Sequence, residues 1–425
     1  MKTTLIIGAG SNADFQMRKT DDNKEEDIKP INMPTGEELV RKIEKFGNEI
    51  IDFCLPKSFC ESINKLNYPD YLEQLRTLDR KKNIVARFGN LPIKPYIHLS
   101  DLIYKYDPVS IDNFLAQIND EKIDIKSSIK IEGNETEKEI RENLIKAGKE
   151  LIAFILLIHE DDEIFTSQNK IWYRWLQHAI LNCAPTIDEI CQKIKDDFSI
   201  ISFNYDRSLE FFLKEKLKPK IYQSIKKKII YPYGSLNSDL TQRNEEYGAI
   251  KKIYDNYLYS LSNKANSFEA IGDLFLNENS FLKQIAQNIR VVGERQNEVC
   301  KDQFEKAKEY VGKSHKLYLL GFGFIKENCE KLGFKEFSKN IRNLLYSSTH
   351  ATMAGEYWYR NSVKLGEFSP ISYTNFDNKS KVNDEFKSQF SLLLIKNNDG
   401  NFNSLYKLST RGVYNALEGD FDLFL

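Results

Sequence analysis

Short apolar runs that end in glycine or in small polar residues recur along the chain. Six of them have the composition of strands buried in a parallel sheet, or of segments beside such strands: 4–7, 198–203, 228–231, 289–292, 316–320 and 341–347. Helical patterns stand between several of these runs, as at 207–216. A succession of strand, glycine turn and helix is typical of a doubly wound α/β sheet, which is the fold class that the pattern predicts.

The chain from about 39 to 195 is mostly helical in pattern. Apolar residues recur at helical spacing over 137–158, and 171–180 is apolar and aromatic enough for a buried helix. Pro34 to Leu39 has the early acidic residues that favour a helix start. No Gly/Ser linker interrupts this stretch, so we expect a large helical insertion rather than a tethered module.

These patterns divide the chain into one large domain, 1–360, and a small C-terminal appendage, 361–425. Within the domain we expect the first strand and turn at 1–45, the helical insertion at about 46–195, and the rest of a Rossmann-like core at about 196–360. Two apolar runs of the appendage predict an antiparallel pair of strands: 390–395 and 405–408.

Composition excludes several classes of protein. The chain has 425 residues, of which 41% are hydrophobic, and its 61 basic and 62 acidic residues leave a net charge of -1. This balance gives no bulk electrostatic reason to expect nucleic acid or an anionic membrane as a partner. The apolar runs at 5–7 and 151–158 are too short for a secretion signal or a membrane span. We therefore expect a cytoplasmic protein.

The residues with chemical potential follow predicted strands. Gly8-x-Gly10-x-x-Ala13 fits the dinucleotide pattern G-x-G-x-x-G/A, in which glycines permit a tight turn and let phosphate approach backbone amides. The acidic ribose partner of ordinary dehydrogenases is not found about 20 residues later, where a charged loop stands at 18–29. Because ligands of α/β sheets bind at the carboxyl ends of the strands, the sequence favours a nucleotide site there.

Several segments stand in a recognisable order: IIGAGS at 6–11 with MPTGEEL at 33–39, IISFNYD at 200–206, YPYGSL at 231–236, LLGFGF at 319–324 with Asn328, and LYSST at 345–349 with Glu356. This series, which spans residues 1 to about 360, resembles the motifs of the SIR2-like (sirtuin-fold) family. The resemblance is to the large SIR2-like proteins of bacterial antiphage defence, in which a helical insertion often follows the first motif. Protein deacylases of this fold carry a four-cysteine zinc module, and the six cysteines here contain no C-x-x-C pair.

The resemblance implies hydrolysis of NAD+ at the nicotinamide–ribose bond. It implies that Asn204 holds the attacking water or a ribose hydroxyl. It also implies that Asp206 orients the nicotinamide ribose or the surroundings of its carboxamide. The resemblance also implies that Gly8, Gly10 and Ser11 bind pyrophosphate and that Gly321, Gly323 and Asn328 line the adenosine side. Ala9, Gly234 and Ser235 are further cofactor-binding residues that it implies. The residues alone leave another interpretation open, in which Asn204 and Asp206 form a turn that caps the following helix.

One position departs from the family pattern. The residue before Gly234 is Tyr233, where the family has its catalytic histidine. Tyrosine is a poor general base at neutral pH, although its ring can donate a hydrogen bond or stack on nicotinamide. His350, after the predicted last strand, is the preferred substitute, and His98 in the helical insertion is the next. No pair of histidines has the spacing of metal ligands, so we expect no metal.

Two functions follow from these expectations. The first is an NAD+ glycohydrolase that acts as the effector of an antiphage or abortive-infection system, with Tyr233 in place of the catalytic histidine. The alternative is an inactive SIR2-like module that binds NAD or an ADP-ribose derivative and senses or scaffolds for a partner. The resemblance also implies a homo-oligomer or a complex with a neighbouring defence protein, such as an ATPase or a sensor. No direct contact with nucleic acid or membrane is expected.

Overall fold

The computed structural model describes parts of the chain, and every structural statement below concerns these residues: 2–9, 11, 33–34, 36–54, 93–108, 110–129, 135–160, 172–236, 250, 272, 274–277, 279–291, 298–314, 316–322, 326–334, 345–348 and 406–409. They divide into two compact units. The sheet unit comprises Met1–Thr35, Glu160–Gly234 and Gln296–Leu425. The helical unit comprises Gly36–His159 and Ser235–Arg295.

The described residues form six strands and eleven helices. The strands are β1 (Thr3–Ile7), β2 (Phe198–Ser202), β3 (Ile229–Ile230), β4 (Lys316–Leu320), β5 (Leu345–Ser348) and β6 (Tyr406–Ser409). The helices are α1 (Gly36–Cys54), α2 (Lys94–Tyr106), α3 (Ile111–Asn119), α4 (Glu137–His159), α5 (Trp172–Asn182), α6 (Ile187–Asp197), α7 (Ser208–Lys216), α8 (Pro219–Lys226), α9 (Phe281–Ala286), α10 (Glu298–Lys313) and α11 (Lys326–Lys331).

All six strands belong to one parallel sheet in the order β3-β2-β1-β4-β5-β6. The chain therefore adds strands on one side of β1 as far as β3, then returns to the other side with β4. Every residue of β1 and of β2 is buried, as expected for central strands covered on both faces. The α/β class predicted from the apolar runs is confirmed, with an all-parallel sheet.

The core of the sheet unit forms where helix α10 covers the strands. Phe304, Ala307 and Val311 of α10 are buried at helical spacing. Two of them, Ala307 and Val311, join a cluster with strand residues Ile6, Ile201 and Leu319. Since these three strand residues lie in register on neighbouring strands, one face of the sheet and one stripe of α10 exclude water together.

The helical unit is built around α4, whose residues from Leu151 to Ile158 are all buried. Helices α1 and α2 approach closely at Gly47, because a Cβ there would lie 3.0 Å from the carbonyl oxygen of Tyr96. Buried Arg141 of α4 donates to the carbonyl oxygens of Ile118 and Ile123, at 2.7 and 3.1 Å. Among the helices that the structure describes, none has the length and apolar character needed to cross a membrane.

Several expectations about boundaries and strands differ from the structure. Residues 405–408 are not an antiparallel strand of an appendage, because β6 pairs in parallel with β5 at the edge of the main sheet. Residues 289–291 form no strand. The helical insertion was expected over 46–195. The helical unit instead consists of two stretches, a first one that ends at His159 and a second one, Ser235–Arg295. The predicted strand at 390–395 lies outside the described residues.

Candidate functional site

The carboxyl ends of three neighbouring strands meet at one edge of the sheet. Ile7, the last residue of β1, is in register with Ser202 of β2 and with Leu320 of β4. The residues that follow are those singled out by sequence, beginning with Gly8, Asn204 and Gly321. Between β1 and β4 the strand order reverses, which is where open α/β sheets form their ligand crevice.

Gly8 and Gly321 bring the turns after β1 and β4 into backbone contact. The Gly8 amide donates to the carbonyl oxygen of Leu320 at 2.9 Å. A Cβ on Gly8 would lie 2.6 Å from the carbonyl oxygen of Gly321 and 2.9 Å from the Cα of Phe322. Gly321 itself has a φ of 61°, a left-handed conformation that glycine adopts at little cost. Both glycines are thus required by the backbone packing, whether or not a phosphate binds beside them.

A contact between Ser11 and Asn204 joins the segment 6–11 to the segment 200–206. The Asn204 Nδ2 donates to the Ser11 Oγ at 3.3 Å across 193 residues of sequence, and both side chains are buried. The Ser11 amide donates to the carbonyl oxygen of Gly8 at 2.9 Å, which closes the turn after β1. Hydroxyl and amide groups held at this edge are suited to hydrogen-bond the hydroxyls of a ribose.

The Asp206 carboxylate is hydrogen-bonded to the start of helix α7. One of its carboxylate oxygens, Oδ1, accepts hydrogen bonds from the Ser208 amide, at 3.1 Å, and from the Ser208 Oγ. The hydroxyl groups of Ser208 and Tyr173 lie 2.7 Å apart, and all three side chains are buried. The capping interpretation of Asp206 is therefore present in the structure, since its carboxylate satisfies an amide at the helix start.

Among the described residues, Tyr233 belongs to an aromatic cluster. Its ring centroid lies 5.2 Å from that of Phe304 and 5.8 Å from that of Phe203. Its hydroxyl donates to the Oδ1 of Asn328 at 2.5 Å, and both residues are buried. Gly234, with a φ of 75°, makes the turn that follows. The structure thus brings together two predicted site residues and uses them as a core contact.

Two buried carboxylates that we did not predict, Glu160 and Glu210, lie near Arg207, which follows β2. Glu160 accepts from both the amide and the guanidinium of Arg207, at 2.8 and 3.1 Å. Burial raises the pKa of Glu210, although a hydrogen bond from Tyr231 acts in the opposite direction. Burial also raises the pKa of Tyr231 well above its ordinary range. The sequence does contain a signal for Glu210, because it is a charged residue within an otherwise apolar helix pattern at 208–213.

The remaining predicted residues are not all part of this arrangement. Ala9 is half-buried in the turn after Gly8, and half-buried Ser235 begins the second stretch of the helical unit. His98 lies on α2 of the helical unit. Gly10, Gly323 and His350 lie outside the described residues. In the part of the chain that the structure covers, no group of three or more histidine, cysteine or acidic side chains is placed to hold a metal ion.

Comparison of the chain with protein-family models, with curated proteins and with solved structures gave no match.

Proposed function

We propose that the chain binds an NAD-type nucleotide at the carboxyl edge of its sheet, as a SIR2-like module on a Rossmann-like core. The strand order is that of dinucleotide-binding sheets, whose ligand lies at the point where the order reverses. The observation that carries the proposal is the buried hydrogen bond between Ser11 and Asn204. It supports the motif resemblance, because two segments of the series meet at the edge where open α/β sheets generally bind ligands.

Of the two activities that the resemblance implies, the geometry favours binding without histidine-dependent hydrolysis. The family's histidine position is held by Tyr233, whose hydroxyl is bonded to Asn328 and whose ring packs on Phe203 and Phe304. A general base contributes about 10²–10⁴-fold to the rate of the chemical step. Its loss therefore slows hydrolysis without itself removing the groups that bind the nucleotide. The proposed role is recognition of NAD or an ADP-ribose derivative, in the antiphage setting that the resemblance suggests.

Slow NAD+ hydrolysis is a second candidate, favoured by Asn204. Cleavage of the nicotinamide–ribose bond builds positive charge on the ribose and releases neutral nicotinamide. The oxygen of a water molecule then bonds to the anomeric carbon, and a proton is released to solvent. A buried amide that fixes the ribose or the water promotes this step by positioning alone. Asn204 sits at the correct edge for that role, beside Ser11. This candidate is the NAD+ glycohydrolase hypothesis with no residue assigned as the general base.

Calorimetric titration with NAD+ and with ADP-ribose tests the binding proposal. We expect Ser11→Ala and Asn204→Ala to weaken binding at least tenfold, because each removes a polar group from the edge. Ser224→Ala on α8 is the matched control, since its hydroxyl bonds only within its own helix, to the Lys220 carbonyl oxygen. Nicotinamide release by the same proteins separates the two activities: turnover lost in Asn204→Ala but kept in Ser224→Ala supports hydrolysis. If neither nucleotide binds to the wild-type protein, the proposal fails.

A further inference from the structure

A dense run of lysines covers one stretch of the sheet unit. Seven of the fifteen residues from Lys214 to Lys228 are lysines, and Glu215 is the one acidic residue among them. Because the whole chain balances 61 basic against 62 acidic residues, this excess is local. Five of these lysines are exposed, and we name them the lysine surface: Lys214, Lys216, Lys218, Lys220 and Lys227.

Most of the lysine surface is not neutralised by the protein. Lys220 forms a salt bridge with Asp188 of α6. The four other lysines make no ion pair with any residue that the structure describes. The positive charge at this surface is therefore available to an external anion.

Helix stability accounts for only part of this lysine pattern. Lys214 and Lys216 lie in the last turn of α7, where the helix dipole favours cations. Lys218 immediately precedes α8 and Lys220 lies in its first turn, where the same dipole disfavours cations. The ion pair with Asp188 accounts for Lys220. Lys218 has no ion-pair partner among the described residues, so its position before α8 indicates a role other than stabilising that helix.

The neighbouring side chains restrict the kind of anion. Leu217, Ile221 and Ile225 are buried in the protein, so this surface offers no apolar face to enter a membrane. Tyr222 is buried as well, which leaves no exposed aromatic ring in the segment on which an unpaired base could stack. What remains is an array of flexible ammonium groups, the chemistry that contacts successive phosphates of a duplex.

We propose that the lysine surface binds the phosphate backbone of a nucleic-acid duplex, without reading its sequence. Helix α8 alone extends over about 12 Å, from 1.5 Å per residue, and a duplex carries one charge for about every 1.7 Å of its axis. Lys218 and Lys227 flank this helix, so a duplex that lies along α8 would present several phosphates to the lysine surface. The expectation of no nucleic-acid partner rested on net charge, which leaves a local basic surface of this kind open.

Fluorescence anisotropy with labelled 20-base-pair duplexes, one of DNA and one of RNA, tests the proposal on the full chain. The test variant is K214E/K216E/K218E. The matched control is K301E/K306E/K308E, which changes three exposed lysines of α10 in the same unit and leaves the same net charge. Thermal melts of both variants, followed by tryptophan fluorescence, establish that they fold.

For about four phosphate contacts, the affinity of the wild-type protein is expected to fall roughly 150-fold between 50 and 200 mM salt. The test variant should bind at least tenfold more weakly at 50 mM salt and show a smaller salt slope, while the control stays within twofold of wild type. Equal binding of DNA and RNA, or a preference for either, supports a backbone contact. Binding that the control weakens as much as the test variant, binding independent of salt, or no binding to either duplex overturns the proposal.

Discussion

The hydroxyl of Tyr233 donates a hydrogen bond to the Oδ1 of Asn328, and both groups are buried in the sheet unit. The two residues are 95 positions apart in the chain. Lys331 of the same helix as Asn328 lies 5.8 Å above the Tyr233 ring and 4.8 Å above that of Phe304. The Tyr233 side chain is thus held by its hydrogen bond, by ring packing and by a neighbouring cation.

A double-mutant cycle measures what this contact contributes. Tyr233→Phe leaves the Asn328 amide buried without its donor, so we expect a loss of about 1–3 kcal/mol in the free energy of unfolding. Asn328→Ala should cost a similar amount, and the double variant should cost less than the sum by about 1 kcal/mol. Urea denaturation followed by tryptophan fluorescence reports it, because Trp172 and Trp175 are buried in this unit. Additive losses would show that the two side chains do not interact.

At Gly8 both the sequence motif and the backbone packing require glycine. In Gly8→Ala the new Cβ meets the carbonyl oxygen of Gly321, so we expect a loss of about 1–3 kcal/mol from overpacking. Gly312→Ala is the control: its Cβ has open space and lies in a helix, where alanine gains about 0.5–1 kcal/mol over glycine. Urea denaturation of both variants checks the prediction. Equal stability of Gly8→Ala and wild type would contradict the close approach of the two turns.

The structure clarifies which parts of this site the sequence could predict. Apolar runs followed by small residues located β1, β2 and β4 and placed Gly8, Asn204 and Gly321 at one edge, because parallel strands align their carboxyl ends. The Tyr233–Asn328 contact depends on how α10 and α11 pack, which no local pattern encodes. The direction of β6 was mistaken since a short apolar run has the same composition in parallel and antiparallel pairing.

Asp206 separates a capping role from a nucleotide-binding role. Asp206→Ala removes the acceptor of the Ser208 amide and hydroxyl, so we expect a loss of about 1–2 kcal/mol in stability. Asp206→Asn keeps an acceptor oxygen at this position and should recover most of it, with NAD+ affinity within threefold of wild type. Denaturation and calorimetric titration of the two variants give both readouts. Normal stability of Asp206→Asn together with lost NAD+ binding would place the carboxylate in contact with the ligand instead.

His159, at the end of α4 in the helical unit, makes stability depend on pH. Burial is the main cause that lowers its pKa from 6.5 to about 4, and the nearby Lys42 cation adds to this. The folded state therefore disfavours the protonated ring while the unfolded chain accepts the proton, so stability is lost as pH falls from about 6.5 towards 4.

At pH 4.5 this linkage amounts to about 2–3 kcal/mol relative to neutral pH. The variant His159→Gln keeps a polar side chain but cannot titrate. Between neutral pH and pH 4.5, its free energy of unfolding should therefore fall by about 2–3 kcal/mol less than that of the wild type. Urea denaturation followed by circular dichroism at 222 nm, at several pH values between 4.5 and 7.5, measures the difference between the two proteins. Because other histidines and carboxylates titrate in both proteins, only this difference reports on His159. Parallel pH profiles would show that the His159 ring is protonated as readily in the folded chain as in the unfolded one.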